Sequence, residues 1–163
     1  MNPADISIRA ASWAAAQCVR HFCRVRGISN IAIDAFCTYL EDAATAASVV
    51  DWDARSITLV VSGMGDSLPP PLESVEGLAE LLCYAHEVTA SGMYAAWNPG
   101  EVMAHLRETA ERSGLDAIQL IAVTSSLHSP GQNGWGLAIT EGERRCWSLP
   151  KNLFNTDART RAG

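Results

Sequence analysis

Charge is scarce in this sequence, paired-cysteine motifs are missing, and no uncharged apolar run approaches the length of a membrane span. Charged residues make up 18% of the 163 positions against 48% hydrophobic. A core is therefore amply supplied, and the surface must be covered with few charges. Twelve basic residues against eighteen acidic ones give a net charge of -6, which repels phosphate backbones and anionic membranes. Neither nucleic acid nor a membrane surface is expected as a partner. The five cysteines, Cys18, Cys23, Cys37, Cys83 and Cys146, are odd in number and form no CxxC, and the first ten residues lack a basic stretch followed by an apolar one. Reduced thiols and a cytoplasmic location are the expectation. Nowhere does the chain reach the roughly 18 uncharged apolar residues that a span requires. Internal repeats and low-complexity tracts are absent too.

What is present reads mostly as helix. Ile8, Ala11, Ala15, Cys18, Phe22 and Val25 recur at helical spacing up to Gly27, with Arg20, Arg24 and Arg26 crowding the end where a helix dipole is negative. Ser29 or Asn30 can cap a second helix whose stripe is Ile33, Phe36, Leu40, Ala43 and Ala47. So short a connection makes the two helices antiparallel neighbours. From Ser74 a third stripe runs through Val75, Leu78, Leu82, Ala85, Thr89, Met93 and Ala96. Asn98-Pro99-Gly100-Glu101 is a helix start, with Asn as cap and Pro at the first helical position. The fourth helix then turns Val102, Met103, Leu106 and Ala110 inward and ends at Gly114, with Leu115 folding back onto Ala110.

Two regions read differently. Residues 56–62 are rich in β-branched side chains, and Ile57, Leu59 and Val61 alternate with smaller or more polar ones, as in a strand. The glycines of 63–65 and the prolines Pro69 to Pro71 follow as a loop. Ile118 to Val123 is a short apolar run that periodicity assigns to neither strand nor buried helix, with strand slightly preferred. After the turn at 129–134, Trp135, Leu137 and Ile139 alternate as in a strand. Thr140-Glu141-Gly142-Glu143 fits either a hairpin turn or a capping box. The expected fold is α+β and predominantly helical, with about four main helices in two antiparallel pairs and a small β element made of 57–62 and part of 118–149. Residues 1–150 form a single domain and 151–163 a polar tail.

Few residues bear on chemistry. Cys83, His86 and Glu87 occupy positions i, i+3 and i+4 of a helix and are metal ligands by type, but no second ligand pair or HExxH accompanies them. Cys18 and Cys23 diverge on a helix around His21. Gly63-Met64-Gly65 follows the strand as a phosphate-binding turn would, yet Leu68 stands where the third glycine belongs and no P-loop lysine is present. No metal and no cofactor are therefore expected. No GxSxG elbow occurs, and His128, in the loop 126–131, is the one histidine outside a helix.

The remaining signal is aromatic. Tyr94, Trp97, Trp135 and, outside the candidate set, Trp147 lie at element ends or in loops beside Met93, Asn98, His128 and Asn133. Tyr, Trp and Met are enriched in the cores of protein interfaces. These seven residues are the candidate partner-binding set. The function they suggest is a stoichiometric protein-protein interaction module, an adaptor or an inhibitor of the immunity type, with a basic protein or a second copy of itself as partner. The alternative is a small hydrolase or transferase with His128 in a cleft beside Asp66 or Asn133.

Overall fold

The structure is a computed structural model that describes residues 6 to 155; most of the segment expected as a tail, residues 156–163, lies outside the described residues. Seven α-helices are found there: α1 (Ile8–Val25), α2 (Ile31–Asp42), α3 (Val49–Ala54), α4 (Leu78–Tyr94), α5 (Pro99–Ser113), α6 (Ala117–Leu127) and α7 (Glu141–Cys146). Single 3-10 turns follow at Arg55–Thr58, Leu72–Ser74 and Lys151–Phe154. No strand occurs among the described residues, so the fold is all-α and the expected α+β class, with its β element, is overturned.

Local chemistry explains where most helices begin. Ser7, Asn30, Ser48, Asn98, Asp116 and Thr140 each accept a bond from a backbone N–H of the first turn that has no partner within its helix. Thr140 and Glu143 complete a capping box, which settles the 140–143 ambiguity in favour of a helix. Only α4 starts without a side-chain cap. At the end of α5, Leu115 N donates to the Ala110 carbonyl at 2.9 Å.

The centre of the fold is α1. Every residue from Ile8 to Ala16 is buried, so this helix has no solvent face along its first half, and it packs against α2, α4, α5 and α6. Its alanines let neighbours approach from several sides, which a one-stripe reading of the helix misses. Val25, at the end of the expected stripe, is exposed instead. Arg9 meets Ala43, Ser12 meets Leu40 and Arg20 meets Asp34, a reversed order that makes α1 and α2 antiparallel. Each large apolar side chain fully removed from water, such as Phe22, Phe36 or Leu106, contributes roughly 1.5–3 kcal/mol.

The expected strands fail for separate physical reasons. Residues 55–58 wind into a 3-10 turn that leaves Ile57 87% exposed; Val60 is exposed as well, while Val61 is buried in the core and Leu59 half-buried against it. Residues 118–123 belong to α6, whose buried positions Ala117, Leu120, Ile121 and Thr124 follow the helical period, while Ile118 faces solvent. Along 135–139 Trp135 is buried, but Leu137 is 85% exposed. The backbone there pairs with helix ends: the Gly134 carbonyl accepts from Ile8 N at 2.8 Å, and Ile139 N donates to the Ala44 carbonyl at 3.0 Å. A strand is unnecessary once buried backbone groups find such partners.

The C-terminal stretch returns to α1. Trp147 packs edge-on to Trp13 at 5.8 Å, Leu153 is buried, and Phe154 lies against the His21 ring at 5.3 Å.

Candidate interaction surface

The loop from His128 to Thr140 is built inward, onto the start of α1 and the end of α2. Its centre is Arg9, a residue only 4% exposed. The guanidinium donates to the carbonyls of Ala43, Ala46 (2.9 Å) and Gly136 (3.4 Å) and lies 6.0 Å from the Trp135 ring. No carboxylate pairs with it among the described residues; carbonyls just past the end of α2, where the helix dipole is negative, take that place. Burial lowers its pKa. The other loop contacts follow the same direction. Trp135 meets Trp52 edge-on at 6.0 Å, and Trp52 stacks on Tyr39 at 4.5 Å. Gly134, at φ +84°, sits so close to the Trp97 ring that any Cβ there would overlap it.

This arrangement distributes the seven candidate residues unequally. Trp135 is core, Met93 and Trp97 are half-buried against it, and the buried Trp97 Nε1 has no hydrogen-bond partner among the described residues. Asn98 caps α5. Asn133 Oδ1 accepts from Trp135 N at 3.0 Å and Gly136 N at 3.4 Å, shaping the loop. A groove of about 460 Å³ runs along its outside between His128, Gln132, Asn133 and Leu137. Tyr94 is the only large apolar side chain of the set left in the open, at 75% exposure.

His128 is held on two sides. Nδ1 lies 2.9 Å from Ser7 Oγ, and the ring also bonds the Leu137 carbonyl. Burial is the main cause that lowers its pKa. Ser7 is fully buried and already accepts the capping bond of α1 from Ala10 N. The Ser-His pair therefore ties a loop to a helix start, with its hydroxyl out of reach of a substrate.

A second surface lies around α3, the segment 55–66 and the outer edge of α4. Between Asp42 and Glu101 the chain carries nine carboxylates and one basic residue, Arg55, whereas the rest carries nine carboxylates against eleven basic residues. The excess negative charge is thus confined to the middle of the chain. Among the described residues only Asp42 of those nine has an ion-pair partner, and that partner is Arg55 at 2.7 Å. Ile57, Val60, Met64 and Tyr94 project from the same region as exposed apolar side chains. The Gly63 backbone packs against Leu82 and His86, which carries Met64 and Asp66 to the edge of α4. The charge partition was legible in the sequence, and taking net charge as one number hides it.

Cys83, His86 and Glu87 fall on this side of α4. Cys83 and Glu87 are half-buried and His86 is buried, and no group of three or more His, Cys, Asp or Glu among the described residues is arranged to hold a metal ion. All five cysteines are free thiols; burial pushes Cys18 and Cys37 up to about 12. No helix of the described residues is long and apolar enough to cross a membrane. Compared with known proteins, the chain matches no family model, no curated protein and no solved structure at a significant level.

Proposed function

We propose that this chain is a stoichiometric protein-binding module, an adaptor or an inhibitor of the immunity type, that engages a basic protein partner in the cytosol. The observation that carries the reading is the charge partition along the chain, with Asp53, Asp66 and Glu87 outside any ion pair among the described residues in the region where Ile57, Met64 and Tyr94 are exposed. Interfaces combine apolar area for affinity with complementary charge for encounter rate, and this face offers both. A cytosolic setting agrees with five free thiols. The competing reading, a hydrolase or transferase built on His128, has less behind it, because the ring is engaged by Ser7 and Leu137 and bonds no carboxylate among the described residues.

Affinity purification of the full chain from its source cell, followed by native mass measurement, tests the reading. One basic protein in equimolar amount, released as salt rises, is the expected result. Repeated purifications without a partner, or a partner that is acidic and indifferent to salt, would overturn it.

A further inference from the structure

The acidic face contains one carboxylate, Asp53, that two side chains orient and that no basic side chain of the described residues pairs with. Asp53 stands half-buried near the end of α3. Its Oδ2 accepts from the Tyr94 hydroxyl at 2.8 Å and its Oδ1 from the Tyr39 hydroxyl at 3.4 Å. Two neutral donors orient the group without cancelling its charge, and no basic side chain pairs with it among the described residues. Tyr39 is itself fixed by its stack on Trp52, whose Nε1 donates to the Tyr39 carbonyl at 2.7 Å. The support beneath Asp53 is a stacked, hydrogen-bonded aromatic pair.

The surroundings repeat the same sign. Glu87 is two turns before Tyr94 on the same side of α4, and Asp66, bonded by the Ser62 hydroxyl, is brought up by the turn that packs on His86. His86 lies beneath, 7% exposed, with an Nδ1 that has no hydrogen-bond partner among the described residues. Asp53, Asp66 and Glu87 all act on this ring, yet burial outweighs them and lowers its pKa. The imidazole beneath the face is thus held toward its neutral form. Tyr94 makes no ring contact with another aromatic among the described residues, and Ile57 and Met64 add exposed apolar area nearby.

We infer that the Asp53–Tyr94 edge, flanked by Glu87 and Asp66, is the docking point for an arginine or lysine side chain of the protein partner. This rests on the basic-partner reading above and names where that partner engages. The cation meets an oriented carboxylate, whose bonds are charge-assisted, and the open face of a tyrosine ring, whose quadrupole attracts it. A fixed tyrosine gives this contact at little cost in rotamer entropy, as binding hot spots do.

The test uses the full chain, isotope-labelled, and a synthetic Arg-Ala repeat peptide, with a Gln-Ala repeat as control. Amide shifts centred on Asp53, Asp66, Glu87 and Tyr94, seen only with the arginine peptide, are expected. Asp53→Asn should weaken binding about tenfold and Tyr94→Phe severalfold, while Glu111→Gln, the same charge change on α5, leaves it within about twofold. Equal losses from Asp53→Asn and Glu111→Gln, or shifts centred on the 128–137 groove, would overturn the assignment. So would self-association that is lost in Asp53→Asn while peptide binding persists, because the occupant would then be a second copy. A natural partner bound equally well by Asp53→Asn sinks this docking point and leaves the module reading standing. Peptide binding here, with no partner ever recovered from the cell, does the reverse.

Discussion

Two irregular segments of this protein reverse what their compositions suggest. Residues 55–64 are apolar and β-branched, yet Ile57, Val60 and Met64 lie in solvent. Residues 128–140 carry three glycines and a proline, yet they bury Trp135, engage Arg9 and bond the start of α1 and the chain just past α2. The difference lies in the partners available to the backbone. The second segment meets carbonyls and amides left over at helix ends and satisfies them; the first meets no sheet edge among the described residues and so gains nothing from an extended form. Apolar composition alone does not place a segment in a core.

Substitutions that strike the two segments alike should give unlike results. Trp135→Ala removes a buried ring and should cost about 3–5 kcal/mol in urea unfolding, whereas Ile57→Ala should change stability by no more than about 0.5 kcal/mol. Comparable losses would erase the contrast. Next in size is Arg9→Met, which strands the Ala43, Ala46 and Gly136 carbonyls while relieving the burial of a charge. A net loss of about 3 kcal/mol is expected, with faster hydrogen exchange at the amides of Ile8 and Ile139. Protection unchanged at those two amides would show that the loop holds without the arginine.

Glycine substitutions sharpen the comparison further. Gly65, at φ +85°, has open space where a Cβ would go, and Gly134, at φ +84°, has the Trp97 ring. Alanine at either position pays roughly 1–2 kcal/mol for the left-handed backbone, and Gly134→Ala should lose about 2 kcal/mol more through the overlap. The smallest effect is on pH dependence. His21, His86 and His128 all have pKa values lowered from 6.5, with burial the first cause in each. The unfolded chain therefore takes up protons first, and stability present above pH 6.5 is lost as pH falls from there through the folded-state values. A melting temperature that drops between neutral and mildly acidic pH, with a shallower slope in His128→Gln and in His86→Gln, is the expected outcome. A slope unaltered by His128→Gln would mean that this histidine titrates alike in the folded and unfolded chain.

Much of the helical part was readable beforehand. The N-cap of α2 and its stripe from Ile33 to Ala43, the Asn98-Pro99 start of α5 and the return of Leu115 onto Ala110 depend on neighbours within a few residues, whereas Ala47, expected to extend the α2 stripe, lies exposed beyond the helix. The start of α6 carried the same information in Asp116 and in the spacing of Ala117, Leu120, Ile121 and Thr124, but a run of apolar β-branched residues masks it. The candidate site was less legible. Tyr94 kept an outward position, while Trp135 and Trp97 went to the core or its edge. Arg9 and Asp53 gave no signal, since their settings come from residues about 34 and 41 positions away.

By itself the sequence determined where most helices begin, that a large apolar core forms, and that negative charge is concentrated between Asp42 and Glu101. Capping, periodicity and charge are local properties of a chain, so they survive without a three-dimensional context. Tertiary structure alone decided that α1 lies at the centre, that a glycine-rich loop is interior while a β-branched segment is not, and that Tyr39 and Tyr94 converge on Asp53. Those outcomes depend on which distant groups remain unpaired once the helices pack.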